Sequence, residues 1–136
     1  SVTGNTKTVA YIPGEIIPTH KFYDYEAKYT DPNGAELKIP ADLNETQRKT
    51  IRETAIKAYE ALDLSGLSRV DFFIDKRNGK IYLNEVNTIP GFTSISMFPK
   101  MCEASGLPYQ ELIMHLFTLA IERFNAAHQI RTDWKK

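Results

Sequence analysis

Two stretches of alternating apolar and polar residues, separated by a turn signal, are the clearest pattern in the chain. Residues 69–75 and 80–87 are rich in β-branched and aromatic side chains, and they flank the sequence Lys76-Arg77-Asn78-Gly79. Strand-like runs on both sides of an Asn-Gly pair predict a β-hairpin.

The register of this hairpin decides which side chains face each other. A two-residue turn would place Asp71 opposite Val86. A three-residue turn would instead place Asp71 opposite Glu85 and Arg69 opposite Asn87. Directly opposed residues lie on one face of a sheet, so the second register would bring two carboxylates together.

The other periodic segments predict further short strands and three helices. Turn signals separate strands that are expected over residues 1–5, 7–12 and 15–17. Apolar residues at helical spacing predict helices over residues 45–64, 97–104 and 108–129. The predicted fold class is therefore α+β, an antiparallel β-sheet packed with helices.

Capping residues set the expected helix boundaries. Asp42 or Asn44 can cap the first helix, and Ser65-Gly66 is expected to end it. Pro108 suits the first turn of the last helix. The predicted apolar stripe of that helix comprises Leu112, Ile113, Leu116, Leu119, Ala120 and Phe124.

Asp71, Glu85 and Asn87 form an oxygen-rich set on the hairpin. Two opposed carboxylates repel, so a positive charge is expected between them. Carboxylate and amide oxygens suit Mg²⁺, and a set without His or Cys argues against zinc. A solvated sheet face whose acids bind nothing is the alternative that the spacing leaves open.

The sequence after Asn87 predicts an anion site. Pro90-Gly91 ends the strand in a turn, and the hydroxyl-rich residues 93–96 can begin the next helix. Backbone N–H groups at a helix start bind carboxylates or phosphates.

Composition narrows the classes of function. The 136 residues suffice for one domain, and 17 basic against 17 acidic residues argue against nucleic-acid binding. Cys102 is the only cysteine, which is compatible with a reducing cytoplasm. No apolar run reaches transmembrane length and no signal peptide is evident, so no membrane partner is expected. The chain starts without an initiator methionine, so we expect a fragment or an excised domain.

Three motifs in fixed order resemble a known family. Arg-Val-Asp-Phe-Phe from residue 69, Leu-Asn-Glu-Val-Asn-Thr-Ile-Pro-Gly-Phe-Thr from residue 83 and Ser-Met-Phe-Pro from residue 96 are similar to the C-terminal part of the D-alanine–D-alanine ligases, which are ATP-grasp enzymes. The resemblance implies ATP-dependent joining of two D-alanines through D-alanyl phosphate, for peptidoglycan precursor synthesis in the cytoplasm. It also implies a homodimer for the full-length enzyme.

The same resemblance implies that the chain is incomplete as an enzyme. Residues 1–136 would be the C-terminal ATP-grasp catalytic subdomain, without the N-terminal domain and the central ATP-binding subdomain. We therefore expect the chain alone to lack ligase activity.

Tyr-Asp-Tyr-Glu-Ala-Lys-Tyr from residue 23 is similar to the start of the ω-loop that closes over the ligase active site, here placed at residues 22–40. By this resemblance, Lys28 approaches the ATP phosphates and Tyr29 helps to select an amine as second substrate. Without the resemblance, these tyrosines read as ordinary half-buried aromatics.

Metal and nucleotide roles also follow from the resemblance. Asp71, Glu85 and Asn87 would hold two Mg²⁺ (or Mn²⁺) ions that bridge the phosphates of ATP, and Asn84 and Glu85 would contribute to the nucleotide site.

The family assigns the acyl-transfer roles to four further residues. Arg69 and the Gly91 N–H would stabilise the tetrahedral intermediate, and Ser96 and the Met97 N–H would bind the carboxylate of the second D-alanine. The residues alone allow simpler interpretations, namely a salt bridge for Arg69, a turn for Gly91 and a helix cap for Ser96.

Two other functions remain compatible with the sequence. Another ATP-grasp carboxylate–amine ligase would keep the acidic and amide ligands but differ at the ω-loop and at Ser96. A non-catalytic binding module would carry the acidic hairpin without using it.

Overall fold

The computed structural model describes residues 1–18, 35–93 and 95–129. The strands in these ranges are β1 (Val2–Gly4), β2 (Val9–Ala10), β3 (Glu15–Pro18), β4 (Ala35–Lys38), β5 (Gly66–Ile74) and β6 (Ile81–Asn87). The helices are α1 (Glu45–Ala61), α2 (Met97–Ala104) and α3 (Tyr109–Gln129). An antiparallel sheet of order β2-β1-β5-β6 and an antiparallel pair β3-β4 confirm the α+β prediction.

The β5–β6 hairpin has the carboxylate pairing that the three-residue turn predicted. Asp71 pairs with Glu85, and Arg69 pairs with Asn87. The alternative register, with Asp71 opposite Val86, is wrong.

The turn itself differs from the prediction. Ile74 pairs with Ile81, and the Asp75 N–H donates to the Lys80 carbonyl at 2.9 Å, so the turn contains the four residues 76–79. Asn84 is left unpaired farther along β6, in a β-bulge. The bulge offsets the longer turn and restores the predicted pairing at the carboxylates.

The two faces of the four-stranded sheet are covered differently. Helix α1 packs on the first face, where Tyr59 and Val70 belong to a buried cluster. Helices α2 and α3 pack on the second face, against Leu67 of β5. Because side chains alternate along a strand, this second face also carries Arg69, Asp71 and Phe73 of β5. Their paired neighbours on β6 are Asn87, Glu85 and Tyr82.

Helix α1 begins at the second of the two predicted caps. The Asn44 side chain accepts a hydrogen bond from the Gln47 N–H at 2.8 Å, and the Gln47 side chain accepts one from the Asn44 N–H at 3.1 Å. This reciprocal pair is a capping box.

Helix α1 ends earlier than predicted. Asp63 adopts a left-handed conformation with φ of 50°, and its N–H bonds to the Glu60 carbonyl while the Leu64 N–H bonds to the Tyr59 carbonyl. These two bonds close the helix at Ala61, so Ser65-Gly66 is not its cap. Gly66 is instead the first residue of β5.

Helix α3 has the predicted extent, but its burial follows only part of the predicted stripe. Leu112 and Leu119 are buried, whereas every residue from Ala120 to Gln129 is exposed, including Phe124. The outer part of the helix thus projects beyond the core. No described helix combines the length and apolar character needed to cross a bilayer.

The ω-loop expected over residues 22–40 falls mostly outside the described residues, which exclude 19–34 and hence Lys28 and Tyr29. Its far end is a strand rather than a loop, because residues 35–38 form β4 and pair with β3. The two-stranded sheet of β3 and β4 is called the β3–β4 arm below.

Candidate functional site

The candidate site lies on the part of the second sheet face that α2 and α3 leave open. Arg69 Nε donates to Asp71 Oδ1 at 2.8 Å, and Arg69 Nη2 donates to Asp71 Oδ2 at 2.9 Å. Both side chains are about three-quarters buried, with 24% and 28% exposure. The salt bridge that the sequence left open for Arg69 is therefore present, and it fixes the plane of the guanidinium group.

Asn87 joins the two opposed carboxylates. Its Nδ2 donates to Asp71 Oδ2 at 3.2 Å and to Glu85 Oε1 at 3.4 Å. The positive charge expected near the acid pair is thus supplied by Arg69, and the amide adds two hydrogen bonds. The four side chains form one hydrogen-bonded group, which we call the acidic cluster (Arg69, Asp71, Glu85, Asn87).

The donor set of the acidic cluster fits a hard cation. Two carboxylates and an amide oxygen are ligands that Mg²⁺ accepts, with substrate phosphates and water completing its shell. The Asn87 oxygen would face a cation after a half-turn of the amide, which would give up the two hydrogen bonds from Nδ2 to the carboxylates. In residues 1–18, 35–93 and 95–129, no three His, Cys, Asp or Glu side chains gather as a metal site. The amide of Asn87 is the further oxygen donor within the acidic cluster.

A second group of predicted residues lies in the turn between β6 and α2. The Ser96 hydroxyl accepts a hydrogen bond from the Thr93 N–H at 2.9 Å and lies 2.9 Å from the Thr93 hydroxyl. A Cβ atom on Gly91 would lie 2.9 Å from the same Ser96 oxygen. Gly91 and Ser96 are therefore in close approach, and a side chain at position 91 would displace the Ser96 hydroxyl.

Ser96 precedes α2 without capping it. Its backbone occupies the N-cap position, but its side chain makes no capping hydrogen bond. The simple capping interpretation is wrong, because the hydroxyl is turned back toward Thr93. The next residue, Met97, is the first of α2, and its side chain is buried.

Three features of the site were missed by the sequence. Thr93 holds the Ser96 hydroxyl, and its position within the hydroxyl-rich segment was the available signal. The β-bulge that leaves Asn84 exposed was not predicted, since a bulge has no signal in this sequence, although Asn84 itself was a predicted site residue. Phe73 and Tyr82 are exposed by 63% and 45% on the same face as the carboxylates.

Cys102 lies apart from both groups. It is a fully buried residue of α2 that packs with Leu112 of α3, and this burial raises the pKa of the thiol to about 12. A thiol with that pKa is protonated at neutral pH and is no nucleophile. The structural role predicted for Cys102 agrees with this environment.

The chain matches known proteins over most of its length. Residues 1–118 match the model of the D-ala D-ala ligase C-terminus family. A D-alanine–D-alanine ligase of Treponema denticola is 89% identical over 132 residues, which are 97% of this chain and 36% of that protein.

Solved structures give the same result. The D-alanine–D-alanine ligase of Coxiella burnetii superposes with a TM-score of 0.80 at 43% identity, over 94% of this chain and 32% of that one. The VanG D-Ala:D-Ser ligase of Enterococcus faecalis superposes with a TM-score of 0.74 at 39% identity, over 87% and 34%. The chain spans about a third of the length of the relatives it matches.

Proposed function

Because the chain belongs to the D-alanine–D-alanine ligase family, we propose that it supplies the metal site and the acceptor site of an enzyme that joins two D-alanines. The predicted ATP-grasp fold class is confirmed by the superposed ligases. Residues 1–136 would be the C-terminal catalytic subdomain, with an ω-loop that begins at residue 22 and leads into β4 (Ala35–Lys38). In a chain as long as its relatives, the remaining two-thirds would supply the first D-alanine site and most contacts to ATP.

The proposed reaction has two displacements. The carboxylate of the first D-alanine attacks the γ-phosphorus of ATP, and ADP leaves. The amine of the second D-alanine then attacks the acyl carbon of D-alanyl phosphate, loses a proton and expels phosphate. Phosphoryl transfer depends mainly on positioning and charge neutralisation, which is the work of the acidic cluster.

Asp71, Glu85 and Asn87 are the proposed ligands of two Mg²⁺ (or Mn²⁺) ions. When bound, these ions neutralise the charge on the phosphates of ATP. The protein's part is to hold the three side chains together, and the pairing of Asp71 with Glu85 and of Arg69 with Asn87 across β5 and β6 supports that role. Asn84, next to Glu85 at the bulge, is proposed to contribute to the nucleotide site.

Arg69 is proposed to stabilise the oxyanion of the tetrahedral intermediate. Its bidentate bond to Asp71 holds the guanidinium plane in one orientation. The Arg69 side chain therefore loses little conformational entropy when the oxyanion forms. The Gly91 N–H is the proposed second donor.

The acceptor D-alanine is proposed to bind at the start of α2. Its carboxylate would accept hydrogen bonds from the Ser96 hydroxyl and the Met97 N–H, at the positive end of the helix dipole. Thr93 holds the Ser96 hydroxyl toward Gly91. Lys28 and Tyr29 of the proposed ω-loop would close over the phosphates and the acceptor amine.

A second candidate concerns the acceptor. The superposed Enterococcus enzyme is a D-Ala:D-Ser ligase at 39% identity, so D-serine is an acceptor to test beside D-alanine. The proposed setting is peptidoglycan precursor synthesis in the cytoplasm by a homodimer of the full-length chain.

The observation that carries the proposal is the paired register of Asp71 with Glu85 and of Arg69 with Asn87, which gathers four required side chains on one open face. The test is phosphate release from Mg-ATP by the full-length enzyme on addition of D-alanine. Glu85→Gln should lower kcat about 100-fold or more, because a metal ion supplies several kcal/mol of charge stabilisation.

Glu60→Gln is the matched control, since Glu60 is exposed on α1, which packs on the sheet face opposite the site. It should leave kcat unchanged. Full activity in Glu85→Gln would contradict the metal role, and phosphate release that does not depend on D-alanine or D-serine would contradict the ligase.

A further inference from the structure

The connector between β2 and β3, residues 11–14, lies along helix α2. The Ile12 N–H donates to Ser105 Oγ at 2.8 Å, and the Gly14 N–H donates to Met101 Sδ at 3.1 Å. Met97, Met101 and Ser105 are spaced four residues apart, so they form one stripe along the helix. The connector therefore contacts α2 along its whole length, from the first turn to the C-cap.

Gly14 is the point where this docking is tightest. A Cβ atom there would overlap the Cε atom of Met97, and it would lie 3.0 Å from Ile39 Cγ1 and 3.4 Å from Met101 Cγ. Met97 and Met101 are 7% and 5% exposed, so neither side chain has free space into which to turn.

The requirement for glycine at this position comes from packing. The positive-φ residues of the described chain include Gly4, Gly66, Gly79 and Gly106 but not Gly14. The backbone conformation of Gly14 is thus one that other residues could adopt. Glycine is required because Met97 and Ile39 occupy the space that a side chain at position 14 would fill.

The same point joins two parts of the proposed active site. Ile39 directly follows β4, and Gly14 directly precedes β3, so both belong to the base of the β3–β4 arm. Met97 is the first residue of α2 and follows Ser96. At Gly14, the side chain of Met97 at the start of α2 therefore packs against the backbone at the base of the β3–β4 arm.

We propose that Gly14 is a positioning residue for the acceptor site: its lack of a side chain lets Met97 pack beneath the connector and thereby fixes the start of α2. This inference rests on the proposed function, because it assigns Ser96 Oγ and the Met97 N–H to the acceptor carboxylate. Gly14 itself touches no substrate.

Gly14→Ala tests the inference in the full-length enzyme. The added methyl group should push Met97 and move the first turn of α2, so the KM for the acceptor amino acid should rise about tenfold or more, since small misplacements at a reacting group are costly. The KM for ATP should stay within twofold, because the acidic cluster lies on β5 and β6.

The matched comparison uses Met97→Leu, which removes the Cε atom that the new methyl group would strike. The acceptor KM of the Gly14→Ala/Met97→Leu double variant should lie within about threefold of that of Met97→Leu alone. A general loss of packing would not be rescued by this second substitution.

Three outcomes would overturn the inference. They are an unchanged acceptor KM in Gly14→Ala, an equal rise in the KM for ATP, and a double variant no better than Gly14→Ala. If Gly14→Ala does not fold, the double variant must fold and meet the same threefold limit. Failure of the proposed function looks different, because the wild-type enzyme would then release no phosphate with D-alanine or D-serine.

Discussion

At the scale of single residues, the contacts of Asp71 decide how a cation could bind at the candidate site. Asp71 uses both carboxylate oxygens on Arg69, at 2.8 and 2.9 Å. A cation that coordinates Asp71 must therefore share these oxygens with the guanidinium group or replace one of its bonds. The Asn87 amide donates to both Asp71 and Glu85 and so holds the two carboxylates near each other. Glu85 can therefore coordinate the same cation without displacing Arg69.

Cys102 gives a prediction that rests on one residue. Burial raises the pKa of its thiol from an ordinary value of 9.0 to about 12. Since the thiolate is the reactive form, alkylation of native protein by iodoacetamide at pH 8 should be at least about 100-fold slower than in urea. Glu103→Cys in a Cys102→Ala background is the control, because residue 103 is exposed on the same helix and should react at once.

The same pKa predicts how stability depends on pH. The folded state disfavours the thiolate, so the Cys102 contribution is complete below pH 9 and is lost as the pH rises toward 12. Tyr59 acts in the same direction, because burial raises its pKa from 10.0 to about 12. Urea unfolding should show a loss of up to about 1.4 kcal/mol per pH unit from Cys102 above pH 9. A slope in Cys102→Ala equal to that of wild type would contradict this.

The start of helix α1 gives a prediction about one element. Asn44 and Asp42 were equal candidates for its cap in the sequence, and the hydrogen bonds select Asn44. Asn44→Ala should lower the free energy of unfolding by about 1 kcal/mol. Asp42→Ala should change it by less than about 0.5 kcal/mol, because Asp42 is exposed and its carboxylate forms an exposed ion pair with Lys38 at 3.4 Å. Chemical denaturation of both variants measures the difference, and equal losses would refute the assignment.

The hairpin shows how far sequence reasoning reaches at the level of elements. Strand alternation and the spacing of Asp71 and Glu85 predicted their pairing, and the structure has it. The assumed turn was one residue too short, and the bulge at Asn84 cancelled the error. Neither feature was predictable, because a bulge depends on how the two strands pack rather than on local propensity. The end of α1 failed for a related reason: Asp63 took the left-handed position usually given to glycine.

The arrangement of layers explains where the site lies in the molecule. One sheet face is covered by α1, and α2 and α3 cover the other only in part. The acidic cluster occupies the uncovered remainder, beside the exposed Phe73 and Tyr82. Motifs predicted which residues belong to the site, but the extent of helix cover comes from tertiary packing. The roles of all these site residues remain predictions, and Lys28 and Tyr29 in addition lie outside the described residues.

Helix α3 has apolar residues on two sides, and only one side is packed against the domain. Leu112 is fully buried with Phe98 and Cys102, whereas Phe117 is 61% exposed. The stripe predicted from helical periodicity contained Leu112 and not Phe117, so it distinguished these two side chains, but it failed at Ala120 and Phe124, which are exposed. Burial relative to the unfolded chain, and not hydrophobicity, should therefore decide the cost of truncating each side chain.

Leu112→Ala and Phe117→Ala test this difference on one helix. Leu112→Ala should lower the free energy of unfolding of the chain by about 3 kcal/mol, because it removes buried methyl groups and leaves a cavity. Phe117→Ala should cost less than about 1 kcal/mol, although it removes more atoms, because most of the ring already contacts solvent. Urea unfolding followed by circular dichroism measures both. A larger loss for Phe117→Ala would mean that the outer side of α3 is covered in solution.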